Sequence, residues 1–223
     1  MFTLPSSARD RFTREDFEFI LETLVPGEVE SEKIALLGLM ADPEEANRLF
    51  DHPALFKSLS RIDAISKVSA RFFLYVCLRH SLPAIGIEDR SVADYLAEKL
   101  HRFVRFDQGS LAEDLPNLFD YEYELQLALL EAVGYRRFEL HCFGGDRSLF
   151  LAGFFPGFLR HRKERHAAPD LNFYEEAGRS HYRIARDHPL AGEFNQRDTL
   201  DLLFNGFPLV RCQLNHLVQE HLS

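Results

Sequence analysis

His181 is the residue of this sequence best placed to carry out acid–base chemistry. The stretch from Leu171 to Asp187 repeats apolar residues with helical spacing, and at about 100° per residue His181 lies near the middle of the apolar face. Tyr174 and Tyr182 share this predicted helix and join it as pocket candidates. A pocket histidine could exchange a proton near neutral pH or contact a ligand. The alternative is a core histidine bonded to a tyrosine, a carboxylate or a backbone carbonyl, because an unpartnered buried ring costs about 1–3 kcal/mol.

Arg79 and His80 form a second candidate pair, at the end of the most apolar stretch of the chain. Positive charge suits the C-terminal end of a helix, and an arginine drawn into a helical interior is usually paired with a carboxylate. Asp146 is one candidate for that carboxylate. It also follows Gly144-Gly145, so the simpler expectation is that it caps a new helix there. The alternative to a ligand pocket at Arg79 and His80 is a structural ion pair at the helix end.

A short basic run interrupts an otherwise acidic chain. Its cations are Arg160, Arg162, Lys163 and Arg165. Such a run could hold a phosphate, an acidic partner or nucleic acid, or it could be a solvated helix end. The net charge of −9 argues against general affinity for nucleic acid or anionic membranes, because both need clustered cations. We therefore predict no nucleic-acid partner.

The residues that commonly bind metals lack the spacing of a metal site. Glu98 and His101 form one E-x-x-H motif, whereas di-iron bundles need two such motifs and two further glutamates. Cys77, Cys142 and Cys212 are far apart and contain no C-x-x-C pair, which disfavours a zinc site and a disulfide framework. The sequence predicts no metal and no cofactor, and it contains no familiar catalytic motif.

The element that must position these residues is the stretch from Ile62 to His80, which we predict to be one central helix. Its second half is apolar on nearly every side, so other helices must enclose it. The unbroken apolar part, Phe72 to Leu78, is too short to span a membrane, which takes about 20 residues. Few segments alternate at period two. We predict a single all-α domain of residues 1–223, a bundle of about nine or ten helices, with residues 1–11 as a frayed arm.

Three segments resemble a bacterial family of uncharacterised helical proteins. They are RHSLPAIGIEDRSVADYLA at 79–97, GDRSLFLAGFFPGFLRHR at 145–162 and APDLNFYEEAGRSHYRIARDH at 168–188. The resemblance implies a bacterial origin and one compact fold. It brings no activity or ligand with it.

Two functions follow as hypotheses. The first is a soluble cytoplasmic helical binding or interaction protein without catalysis, whose 21 phenylalanines partly line a groove or an interface with a second copy or another protein. The dispersed cysteines, and an N-terminus without a signal-peptide pattern, favour the cytoplasm. The second is a helical-bundle enzyme or a haem- or iron-type cofactor binder, with His181, Tyr174, Tyr182, Arg79 and His80 around one pocket.

Overall fold

The structure is a computed structural model that describes residues 7–27, 30–59, 61–104, 115–166 and 169–221. In these ranges the chain forms helices and no strand, which confirms the predicted all-α class. The described residues contain more helices than the nine or ten predicted, because several of them are short. None of the described helices combines the length and the apolar composition that crossing a bilayer requires.

The described residues divide into two compact units, and each is described here by itself. The N-terminal unit takes residues 7–101 with 219–221, and the C-terminal unit takes 102–104, 115–166 and 169–218. The single domain of the sequence analysis stays a prediction. The helices of the N-terminal unit are α1 (Arg14–Leu24), α2 (Glu30–Leu39), α3 (Pro43–Phe50), α4 (Pro53–Leu59), α5 (Ile62–Ile65), α6 (Ala70–Ser81) and α7 (Arg90–Leu100). Short 3-10 helices lie at Ala8–Arg11, Leu82–Ile85 and His101–Phe103.

Helix α6 is the centre of the N-terminal unit, and every side chain from Phe72 to Arg79 is buried. The prediction of one helix from Ile62 to His80 is wrong at its start. Ser69 caps α6 by accepting a hydrogen bond from the Phe72 amide, while its own amide and hydroxyl donate to the Asp16 carboxylate, each over 2.7 Å. Asp16 is fully buried in α1. This carboxylate therefore fixes the point at which the chain turns between α5 and α6.

Residues 7–11, predicted to belong to a frayed arm, are instead docked on α7. The Ser7 hydroxyl and the Ala8 amide donate to Asp94 over 2.7 and 3.1 Å, and Ala8 is fully buried. Phe12 follows, with its ring centroid 5.2 Å from that of Phe72. The arm is held because hydrogen bonds and aromatic packing act together at its end; residues 1–6 lie outside the described residues.

The C-terminal unit is organised by two long helices that contact each other extensively. Its helices are α8 (Leu115–Glu131), α9 (Gly134–Phe154), α10 (Pro156–His166), α11 (Leu171–Asp187), α12 (Pro189–Glu193) and most of α13 (Arg197–His221). The predicted break at Gly144-Gly145 is wrong, because α9 runs through both glycines. Asp146 accordingly lies inside α9 and does not cap a helix.

The two glycines let α9 approach α11 closely. A Cβ atom at Gly144 would lie 2.8 Å from the ring of His181, and one at Gly145 would lie 2.5 Å from the ring of Tyr182. Real Cβ atoms do not approach aromatic carbons so closely. Two residues that usually interrupt helices are therefore retained here because they have no side chain.

We predict that Gly145→Ala destabilises the protein by about 1–3 kcal/mol, because the added methyl group overpacks the Tyr182 ring. Gly157→Ala in α10 is the matched control, since nothing lies within 4 Å of its added methyl group. The control should stay within about 1 kcal/mol of the wild type, as alanine favours helix. Urea unfolding followed by circular dichroism measures both changes. Equal stability of the two variants would contradict the close crossing.

Candidate functional site

The candidate residues of the sequence analysis fall into two groups. His181, Tyr174, Tyr182 and Asp146 belong to the C-terminal unit, together with the basic run of α10. Arg79 and His80 belong to the N-terminal unit.

His181 of α11 is buried and faces a second histidine. The Nδ1 atoms of His141 and His181 are 3.0 Å apart, and the two rings meet at 47°. One ring must carry its hydrogen on Nδ1 and the other a lone pair, so the pair shares one proton across this contact. One partner of His181 is thus an imidazole, which the sequence analysis did not predict. Because His181 is packed against Gly144 and His141, its surroundings favour the hypothesis of a core histidine over that of a pocket histidine.

Burial also affects the hydrogen bonding and the protonation of His141. Its Nε2 atom is buried, and no group among the described residues hydrogen-bonds to it. The pKa of His141 is lowered to about 4, chiefly by burial and then, in decreasing order, by the neighbouring His181, Arg137 and His188. An added proton on His141 would place a charged ring against His181 in a buried position, which disfavours the charged form. His141 is therefore neutral at pH 7.

Asp146 and Tyr182 form a second buried contact one turn along the same crossing. The Tyr182 hydroxyl donates to Asp146 Oδ1 over 3.0 Å, and Arg102 Nη2 lies 3.2 Å from Oδ2. Asp146 and Tyr182 are fully buried, while the arginine side chain reaches the surface. Burial raises the pKa of Tyr182 well above its usual value, and the carboxylate raises it further. Asp146 thus belongs with Tyr182 and Arg102, which corrects its predicted role as a helix cap.

Tyr174 and the basic run have other surroundings. Tyr174 is buried in an apolar cluster with Leu151, Ala152 and Leu159. In α10, Lys163 pairs with Asp170 over 2.6 Å, which lowers the pKa of that carboxyl, and Asp170 caps α11. The guanidinium of Arg162 lies 6.0 Å from the centroid of the Phe158 ring, and Arg160 and Arg165 are exposed. These contacts favour the solvated helix end over a dedicated anion site.

Arg79 of the N-terminal unit is a structural residue by its contacts. Its Nε donates to Asp51 Oδ1 over 2.7 Å, and Nη2 lies 2.6 Å from the same oxygen. Nη1 donates to Asn47 Oδ1 over 3.0 Å and to the Tyr75 hydroxyl over 2.8 Å, and Nη2 donates to the Asn47 carbonyl. All its donors are thus directed to the protein. The carboxylate beside Arg79 is Asp51, which corrects the suggestion of Asp146.

A cleft of about 710 Å³ opens beside this ion pair, within the N-terminal unit. Its polar groups come from Asp51, Arg79, His80, Glu88, Asp89 and Arg90, and its apolar wall from Leu78, Leu82, Pro83, Ile87 and Ala93. Arg90 Nη2 donates to Asp51 Oδ2 over 3.0 Å, yet the Arg90 side chain is 49% exposed. The volume falls within the range of small-molecule sites, which is about 300–1,000 Å³.

His80 lines this cleft but is held as a neutral ring. It stacks on Phe56, with ring centroids 5.0 Å apart and planes at 18°. Burial lowers its pKa, which the nearby Asp51 only partly offsets. A neutral, stacked ring contributes shape to the cleft more than charge.

Comparison of the chain with protein families, curated proteins and solved structures found no match. The resemblance to a bacterial helical family stays a prediction. Among the described residues, no group of three or more His, Cys, Asp or Glu side chains is arranged to hold a metal ion.

Sequence reasoning missed His141 and the role of Glu88 and Arg90. The signal for His141 was present: in a helix that continues through the glycines, His141, Gly144, Gly145 and Ser148 lie three, four and seven residues apart on one face. The expected break concealed this face. Glu88 and Arg90 carry no such signal, because only the folded chain places them beside Asp51.

We predict that His141 makes stability depend on pH. Its pKa is about 4 in the folded protein and about 6.5 when unfolded, so the unfolded chain binds more protons between these values. This contribution to stability is complete above pH 6.5 and is lost as the pH falls through 4. The loss should be about 2–3 kcal/mol.

His141→Asn tests this, because an amide can replace the Nδ1 contact to His181 without titrating. Its stability between pH 4 and 7, measured by urea unfolding, should fall less steeply than that of the wild type. Histidines 80 and 101 also have lowered pKa values, so some pH dependence will remain. His161→Asn, at an exposed position, is the control and should keep the wild-type slope. An unchanged slope in His141→Asn would refute the assignment.

Proposed function

We propose that the protein is a non-catalytic helical binding protein and that its ligand occupies the cleft beside Arg79 and Asp51. The observation that carries this proposal is the cleft itself, which joins an apolar wall to ionic groups of both signs within one compact unit. Convergent polar groups on an apolar concavity are the usual form of a small-molecule site.

The contacts within the cleft favour recognition over acid–base catalysis. Arg79 is directed to protein acceptors, and Asp89 caps α7 by accepting the Ser91 amide over 2.8 Å. His80 is stacked on Phe56 with a lowered pKa. These groups are already committed to holding the fold. The groups that remain directed to solvent are charged side chains, which suit binding of a ligand better than proton transfer to it.

The charges suggest the chemical class of the ligand. Glu88 and Asp89 precede Arg90 directly, and all three are exposed. A ligand with an amino group and a carboxylate can contact acid and arginine together, while its body lies on Leu82, Pro83 or neighbouring wall residues. The ligand is therefore a small zwitterion with an apolar part, of the kind represented by a dipeptide with aliphatic side chains.

The cellular setting is part of the same proposal. Cys77 and Cys142 are buried thiols, Cys212 is an exposed thiol, and none is in a disulfide. Free thiols are typical of a reducing compartment. Together with the resemblance to a bacterial family, they support a soluble protein of the bacterial cytoplasm.

We predict that leucyl-leucine binds the wild type in isothermal titration calorimetry. Arg90→Ala should weaken it by about tenfold, as loss of one charge-assisted hydrogen bond costs about 1.5 kcal/mol or more. Arg14→Ala is the control, because Arg14 is an exposed arginine of the same unit that pairs with Glu18 across one helical turn. Its affinity should equal that of the wild type.

Blocked peptides separate the two charges. The C-terminally amidated peptide should bind Arg90→Ala and wild type equally, and the N-acetylated peptide should be insensitive to Glu88→Gln. The proposal fails if leucyl-leucine does not bind, or if its affinity is the same in Arg90→Ala as in the wild type.

A further inference from the structure

Helix α8 exposes an apolar stripe on the face opposite its core. Tyr123, Leu127 and Leu130 are 72%, 46% and 81% exposed, and Val133 beyond the helix end is 79% exposed. The first three residues are spaced at i, i+4 and i+7, which aligns them along one side of a helix. Single exposed leucines are common on protein surfaces, whereas an aligned row of large apolar side chains marks an interaction site.

The other side of α8 is buried in the usual way. Leu125, Leu129 and Ala132 form a cluster with Leu140 of α9. The helix is therefore apolar on two opposite faces, and only one of them is used within the described part of its unit. A surface helix needs one apolar face, so the second has no role in the packing described here.

The acidic residues beside the stripe on α8 indicate the chemistry of its binding partner. Glu124 and Glu131 are exposed and lie on the same flank of the stripe, about 80–100° from Tyr123 by helical count. The sequence of α8 contains Asp120 and Glu122 in addition, and no lysine or arginine. A partner must therefore supply apolar side chains and cations together.

We propose that α8 docks an amphipathic helix of another protein, one whose apolar stripe is bordered by lysine or arginine. Leucine-like side chains would cover Leu127 and Leu130, and the flanking cations would meet Glu124 and Glu131. This is the helix-on-helix mode in which apolar anchors at i, i+3 or i+4 and i+7 give affinity. The flanking charges set the choice of partner.

A second copy of this chain fits the same surface less well. Pairing α8 with another α8 brings acids to acids with no cation on either helix, and like charges across an interface disfavour it. Charge therefore selects a basic partner from outside the chain.

The test uses a fluorescein-labelled synthetic helical peptide of leucine, alanine and lysine, with leucines at i, i+3, i+4 and i+7 and lysines on both flanks. Fluorescence anisotropy should show binding to the full-length protein. The same peptide with glutamate in place of lysine should bind about tenfold more weakly or not at all. The Glu124→Gln/Glu131→Gln protein should lose most of this difference.

The apolar contact is tested by Leu127→Ser/Leu130→Ser, which should abolish binding of the lysine peptide. Leu209→Ser is the matched control, because Leu209 is a 53% exposed leucine of the same unit on α13. It should bind like the wild type. The proposal is overturned if the double serine variant binds normally, or if both peptides bind equally. It is also overturned if sedimentation equilibrium shows a dimer that the double serine variant dissociates, since the occupant would then be a second copy.

Discussion

The close packing of two α9 glycines against aromatic rings of α11 is the constraint on which the C-terminal unit depends. Gly144 and Gly145 sit beneath the rings of His181 and Tyr182, at distances that no side chain could share. The two rings occupy the space that a side chain at either glycine would need. This packing explains why a long helix tolerates two adjacent glycines, which cost about 1 kcal/mol each relative to alanine in a helix.

A close crossing also decides which polar groups are buried. His141 meets His181, and Asp146 meets Tyr182, because these side chains lie in the seam that the glycines open. Buried polar groups generally need partners. Here His141 and Asp146 each have one on α11, and Arg102 is a further partner of Asp146. The contact between α9 and α11 thus contains residue types that are common in active sites, and these residues join the two helices.

Buried charge has a comparable role in the N-terminal unit. Asp16 holds the start of α6 through Ser69, and Asp51 holds Arg79 near its end. Both carboxylates are satisfied by groups that would otherwise remain unpaired at a helix terminus or in the core. Two surfaces of the described residues are not used in such contacts. They are the cleft, where Arg90 is half exposed, and the second apolar face of α8. Both proposals rest on these unused surfaces.

The sequence by itself determined the helical class, the buried interior of α6 and the burial of His181, because hydrophobic periodicity reports which face of each helix avoids water. It also placed Arg79 near a carboxylate, since a buried guanidinium needs one. It could not name Asp51 or His141 as the partners, or show that α9 continues through Gly144. Those outcomes depend on which helices approach one another and how closely. Local spacing carries information within one helix, whereas partners distant in sequence are selected only when the folded chain brings their side chains together.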